Sequence, residues 1–235
     1  MQQFISLAMH SFIASGVFSP RSVNIEASEL RELALLAIKA ELFQFYKNLR
    51  STDQRWREKG SEVWNLTMAI GMIGNEDTYN LSAKAAESHG LLRFVLWLLH
   101  KYADEFAKQP DELARKFALL TACTEAAHAM DELLELEFRQ FTRQHCQALL
   151  QLYLRFLTLY LKAGGVWRPK CHLLVHMIQR ALHRGNPRLY STYRDESLNG
   201  VIAKIARSAH RSTWSNVIHW KCNFLQQKKL ECSSE

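Results

Sequence analysis

Only four prolines occur in 235 residues, Pro20, Pro110, Pro169 and Pro187, and each falls where a helical periodicity stops. With nine glycines, the turn formers total 13 residues, well below the roughly 12% of an average protein. Apolar side chains make up 48% of the chain, enough for one sizeable core and too much for a disordered tail. The expectation is an all-α fold: long, mainly antiparallel helices in an irregular bundle.

Leu30, Leu33, Ala34, Ala37, Ile38, Leu42, Phe45 and Leu49 follow the i, i+3, i+4 rule and predict an amphipathic helix after a Ser28 cap. Residues 61–74 read as either helix or loop. From Ser82 to Ala107 the pattern is apolar nearly all round, which predicts a central, buried helix. Asp111 is a candidate N-cap for an acidic amphipathic helix through Phe117, Leu120, Ala127 and Leu134. A further helix carries Phe141, Leu149, Tyr153, Phe156 and Tyr160 and ends at Gly164 and Gly165; these two are expected to pack antiparallel. A shorter helix follows Pro169, from Cys171 to Arg184, and Gly185 closes it. Residues 188–194 read as an extended connector. A helix capped by Asp195 or Ser197 and a last one capped by Ser212 or Thr213 complete the chain. The expected organisation is an N-terminal helical segment over 1–60, a helical domain over 61–229 with a basic C-terminal third at 162–229, and a frayed tail at 230–235.

The net charge of +7 is unevenly spread. Residues 162–229 hold 13 Lys and Arg against two acids, Asp195 and Glu196, a net +11; the residues before 162 hold 17 basic and 19 acidic side chains, a net −2. A concentrated basic surface is the footprint of a polyanion partner, because each neutralised phosphate releases counterions. A solvated basic face is the bland alternative. Cys123, Cys146, Cys171, Cys222 and Cys232, odd in number and without a CxxC pair, read as reduced intracellular thiols. The apolar run from Leu91 to Leu99 is broken by Arg93 and falls short of the roughly 18–20 residues of a membrane span. Residues 1–18 lack the basic start of a secretory signal. The expected location is intracellular, and nuclear if DNA is the partner.

No P-loop, GxGxxG, GxSxG, HExxH or zinc-finger spacing occurs, which disfavours those classes. His172 and His176 lie four apart beside Cys171, with His183 further on, a spacing open to two metal ligands or to one core or capping histidine and one at the surface. Cys146 and His145 are a nucleophile and base in sequence only, since neighbours on a helix point apart. Trp214 and Trp220, among Arg211, His219 and Lys221, suit base stacking or the core. Asp195 and Glu196 stand alone in the most basic third. A cap and a first-turn acid account for them; so do carboxylates holding Mg²⁺ while Lys170, Arg188, Arg194, Lys204, Arg207, Arg211 and Lys221 hold a nucleic-acid backbone.

PKCHLLVHM at 169–177, GNPRLYS at 185–191 and RDESLNG at 194–200, followed by a basic helix, together resemble the C-terminal region of CACTA-type (En/Spm-like) transposases. That group has patterns close to Asn-x-His-Leu-Leu-x-His, Gly-Pro-Leu and Phe-Glu-x-x-Asn-Gly before a Lys/Arg-rich helix. LTMAIGMIG at 66–74 and KAAESHGLLRF at 84–94 resemble its Leu-Thr and Lys-Ala-x-Glu segments, so the likeness covers roughly residues 65–214. The resemblance implies a C-terminal part of an RNase H-like DDE transposase, in which carboxylates bind divalent metals for DNA strand cleavage and joining. Glu196 matches the motif's glutamate and becomes the candidate catalytic, metal-binding acid; Asn199 and Gly200 match the pair after it.

Such an enzyme takes further carboxylates from β-strands, and no convincing strand run precedes residue 65. The expectation is therefore a transposase-derived DNA-binding chain, incomplete as an enzyme: a remnant or one part of a larger polypeptide. The alternative is an all-helical interaction or scaffold protein in which the acidic helix 111–137 lies against the basic third and cancels it.

Overall fold

The computed structural model describes residues 1–20, 25–52, 70–83, 85–135 and 141–187, together with 213, 216, 217 and 220. Among these residues the fold is all-α, with eight helices and no strand: α1 Gln2–Ala14, α2 Ala27–Thr52, α3 Ile70–Ile73, α4 Ala85–Lys101, α5 Ala103–Ala107, α6 Asp111–Glu135, α7 Arg143–Lys162 and α8 Pro169–Arg184. No helix of the described residues is long and apolar enough to cross a membrane.

The apolar faces of these helices close around one core. In α1, Phe4, Ile5, Leu7, Ala8, Met9 and Phe12 are all buried. Its two buried hydroxyls are satisfied by carbonyls, Ser6 donating to Ile73 O (2.5 Å) and Ser11 to Leu7 O (2.8 Å), so burial leaves them no desolvation debt. Phe12 stacks on Phe106 and Phe117, which lie 3.9 Å apart between centroids, and meets Phe18 edge-on. At the other end of α1, Phe4 meets Phe156 and Tyr160 of α7 edge-on. Leu91, Leu92, Phe94, Val95, Leu98 and Leu99 of α4 are buried beside it, as their pattern predicts.

The predicted pair, α6 and α7, packs closely. Cys123 Sγ donates to Phe156 O (3.4 Å), and because these residues lie at matching distances from the 136–142 connector, the two helices run antiparallel. α8 then packs on α7, and Asn186 just beyond it donates to Leu134 O of α6 (2.9 Å). The turn between them is tight: Gly164 takes a left-handed φ of 95°, and Tyr160 folds back over Gly165, its hydroxyl accepting from Val166 N (3.2 Å). A Cβ at Gly165 would run into the Tyr160 ring.

Several helix ends differ from expectation. α2 starts at Ala27, with Leu30 N donating to Glu26 O, so Ser28 lies inside the first turn and is not the cap. α6 starts at Asp111, with Leu113 N and Ala114 N donating to Pro110 O, which makes Asp111 a first-turn acid. The predicted helix over 82–107 breaks at Tyr102, where φ is −108° and ψ 23°. There the ring packs edge-on to Phe18, and its hydroxyl donates to Glu41 (2.7 Å). The cap of α7 is Thr142, which accepts from His145 N while His145 Nδ1 accepts from Thr142 N, a reciprocal capping box.

Replacing Phe12, which is wholly buried and touches three other rings, removes a side chain the bundle cannot collapse around. Phe12→Ala is expected to lower stability by about 3–5 kcal/mol, read from the urea midpoint and slope.

Candidate nucleic-acid interface

The α7–α8 hairpin contains no carboxylate, because no acid occurs anywhere between Glu137 and Asp195. Arg143, Arg155 and Lys162 on α7, and Lys170, Arg180 and Arg184 on α8, are exposed. On α8 the amphipathic split is sharp. Ile178 and Ala181 are buried and Leu174 and Val175 half-buried toward α7, while Lys170, Leu173, Met177, Arg180 and Arg184 line one outward stripe and His172, His176, Gln179 and His183 the next. None of Lys170, Arg180 and Arg184 forms an ion pair with an acid among the described residues. Cations left in water at helical spacing are suited to phosphates rather than to holding the fold together.

The acidic helix α6 turns its charge elsewhere. Asp131 accepts from His89 Nε2 (2.6 Å) and lies 3.6 Å from Arg93; Glu135 lies 3.5 Å from Arg93, and Glu125 lies 3.4 Å from His100. His89, Arg93 and His100 all belong to α4, and the remaining α6 pair, His128 with Glu132, is internal to the helix. Among the described residues, then, no ion pair joins α6 to the cations of α7 or α8.

Of the residues singled out from sequence, Lys170 is described, and it is exposed in the first turn of α8. Arg188, Arg194, Asp195, Glu196, Asn199, Gly200, Lys204, Arg207, Arg211 and Lys221 lie outside the described residues, as does Trp214. Trp220 is 66% exposed, which removes the core reading for that ring. Val217 N donates to Thr213 O, one helical turn where the last helix is expected to start. His172 and His176 are both exposed, so neither is a core histidine. Arg180 and Arg184 were not singled out, although their spacing of four, with Lys170 ten before Arg180, puts all three on one helical stripe.

His89, Asp131 and Glu135 bring one nitrogen and two carboxylate oxygens within 4.8 Å of one another. One imidazole with two carboxylates suits zinc or manganese better than Mg²⁺, which favours an all-oxygen shell. Arg93 already supplies positive charge to both carboxylates, so the cluster reads as an ion-pair network clamping α4 to α6. A separation of 42 residues between His89 and Asp131 hides it from sequence inspection. The pairing of Cys146 with His145 finds no support: burial pushes the Cys146 thiol up, as it does that of Cys123, away from the thiolate, and His145 is engaged in the α7 cap. No known protein family, curated protein or solved structure matches the chain.

Two outcomes follow from this geometry. Asp131→Ala is expected to cost about 1–3 kcal/mol, between the values for exposed and fully buried pairs, with EDTA leaving the wild-type urea midpoint unchanged; a midpoint lowered by EDTA would mark the cluster as a metal site instead. Cys123 is expected to resist iodoacetamide in the folded chain and to react once urea unfolds it, as followed by peptide mass spectrometry.

Proposed function

We propose that this chain is a DNA-binding protein of transposase ancestry, and that the carboxylate-free α7–α8 hairpin lays its cations along a phosphate backbone. The observation that carries the reading is the segregation of charge. Among the described residues the ion pairs of α6, the most acidic helix there, run to α4 or within itself, and Lys170, Arg180 and Arg184 of α8 are exposed. Among the described residues no α6 carboxylate pairs with a cation of α8, the contact that the scaffold alternative would need there. The net +11 of residues 162–229 extends the cationic character beyond α8, and the likeness of 169–200 to the CACTA-type motifs supplies the ancestry.

The proposed activity is binding without strand chemistry. Asp195 and Glu196 are the acids that the resemblance assigns to Mg²⁺, and two adjacent carboxylates fall short of a two-metal site, which draws ligands from several elements. No catalytic step is assigned to them.

Fluorescence anisotropy of a labelled duplex of about 20 base pairs, titrated with the full chain from about 50 to 200 mM salt, tests the reading. Log affinity is expected to fall linearly with log salt. Arg180→Glu with Arg184→Glu should weaken binding at least about tenfold and reduce the salt slope by about 1.8, the share of two phosphate contacts. Glu196→Ala should leave affinity and Mg²⁺ dependence unchanged. No retention at about 50 mM salt, where non-specific contacts are strong, would return the chain to the scaffold class.

A further inference from the structure

We propose that His172 and His176 form a bidentate site for a zinc(II) ion on the outward face of α8. The pair sits at i and i+4, which places both side chains over the same part of the helix surface. Their Nε2 atoms lie 2.8 Å apart, the rings nearly perpendicular at 85° with centroids 4.4 Å apart. Zinc–nitrogen bonds of about 2.0–2.1 Å at the tetrahedral angle separate two ligand nitrogens by about 3.3–3.4 Å, so the rings must rotate apart by about half an ångström at Nε2 to admit the ion. Both side chains are exposed, and among the described residues no ion pair with a carboxylate holds either ring. Imidazole is a preferred donor for zinc.

An N–H···N hydrogen bond between two imidazoles requires one ring to present a lone pair. When the ion enters, both Nε2 atoms donate lone pairs, and the proton of the donor ring passes through water to its Nδ1. Both rings stay neutral and no proton is released. Cys171, although adjacent in sequence, is turned toward the core: it is half-buried, and its carbonyl accepts from Tyr153 Oη (2.8 Å) on α7. Two protein ligands leave the other zinc positions to water. Beside them lies a shallow depression of about 300 Å³ lined by Leu173, His176, Met177, Arg180 and Arg184, whose two guanidiniums favour an anionic oxygen as the exchangeable ligand.

The site stands independently of DNA binding, and its test is made without nucleic acid. Zinc chloride is titrated by calorimetry into the metal-free full chain, the wild type being compared with His172→Ala, His176→Ala and His183→Ala. The first two variants are expected each to lose the same single equivalent of bound zinc and the third to keep it, with all three retaining the wild-type urea midpoint. Wild-type stoichiometry and affinity in both His172→Ala and His176→Ala would overturn the proposal, as would an equal loss in His183→Ala, which would mark diffuse surface binding.

Discussion

The first twenty residues contain no Asp, Glu, Lys or Arg, and a helix of that composition is stable only when other helices cover it. This constraint organises the fold. α1 lies with Phe12 against the rings of α5 and α6 and Phe4 against those of α7, so it touches both halves of the bundle and sets the distance between them. Its buried hydroxyls reach carbonyls of α1 and α3, so burial leaves neither serine unsatisfied.

With α1 covered, the amphipathic helices have few choices about where their charge goes. α6 is wedged between α4 and α7. Its Glu125, Asp131 and Glu135 lie on the α4 side, where His89, Arg93 and His100 meet them, and α7 packs on the side carrying Cys123. α8 packs along α7. The separation of acidic and basic surfaces thus follows from which apolar stripe each helix buries.

Much of this was legible in the sequence because it depends on local periodicity and turn chemistry. Gly164, Gly165, Pro169 and Gly185 bound α7 and α8 where their residue types predict, and the stripe through Leu149, Tyr153, Phe156 and Tyr160 is buried as read. Contacts made across long sequence separations were not legible. Tyr102 leaves the helix where Phe18 and Glu41 receive it, and neither partner lies near it in the chain. Helix starts shifted because a cap is defined by backbone geometry, which Ser28 and Asp111 have the composition for but not the position. For the candidate interface, composition marked the region and Lys170 within it, while the exposed stripe through Arg180 and Arg184 emerged only once α7 was seen to take the opposite face.

The Tyr160 ring over Gly165 closes the turn between the two helices of the hairpin tightly. Lys170 and Arg184 then stand roughly 21 Å apart along a straight axis, at the 1.5 Å rise of an α-helix. A duplex strand advances about 3.4 Å per nucleotide, so under the proposed function this length would correspond to about six base-pair steps. On that proposal, a helix already formed would lose little conformational entropy on contact, which would favour regular, shape-based engagement over wrapping.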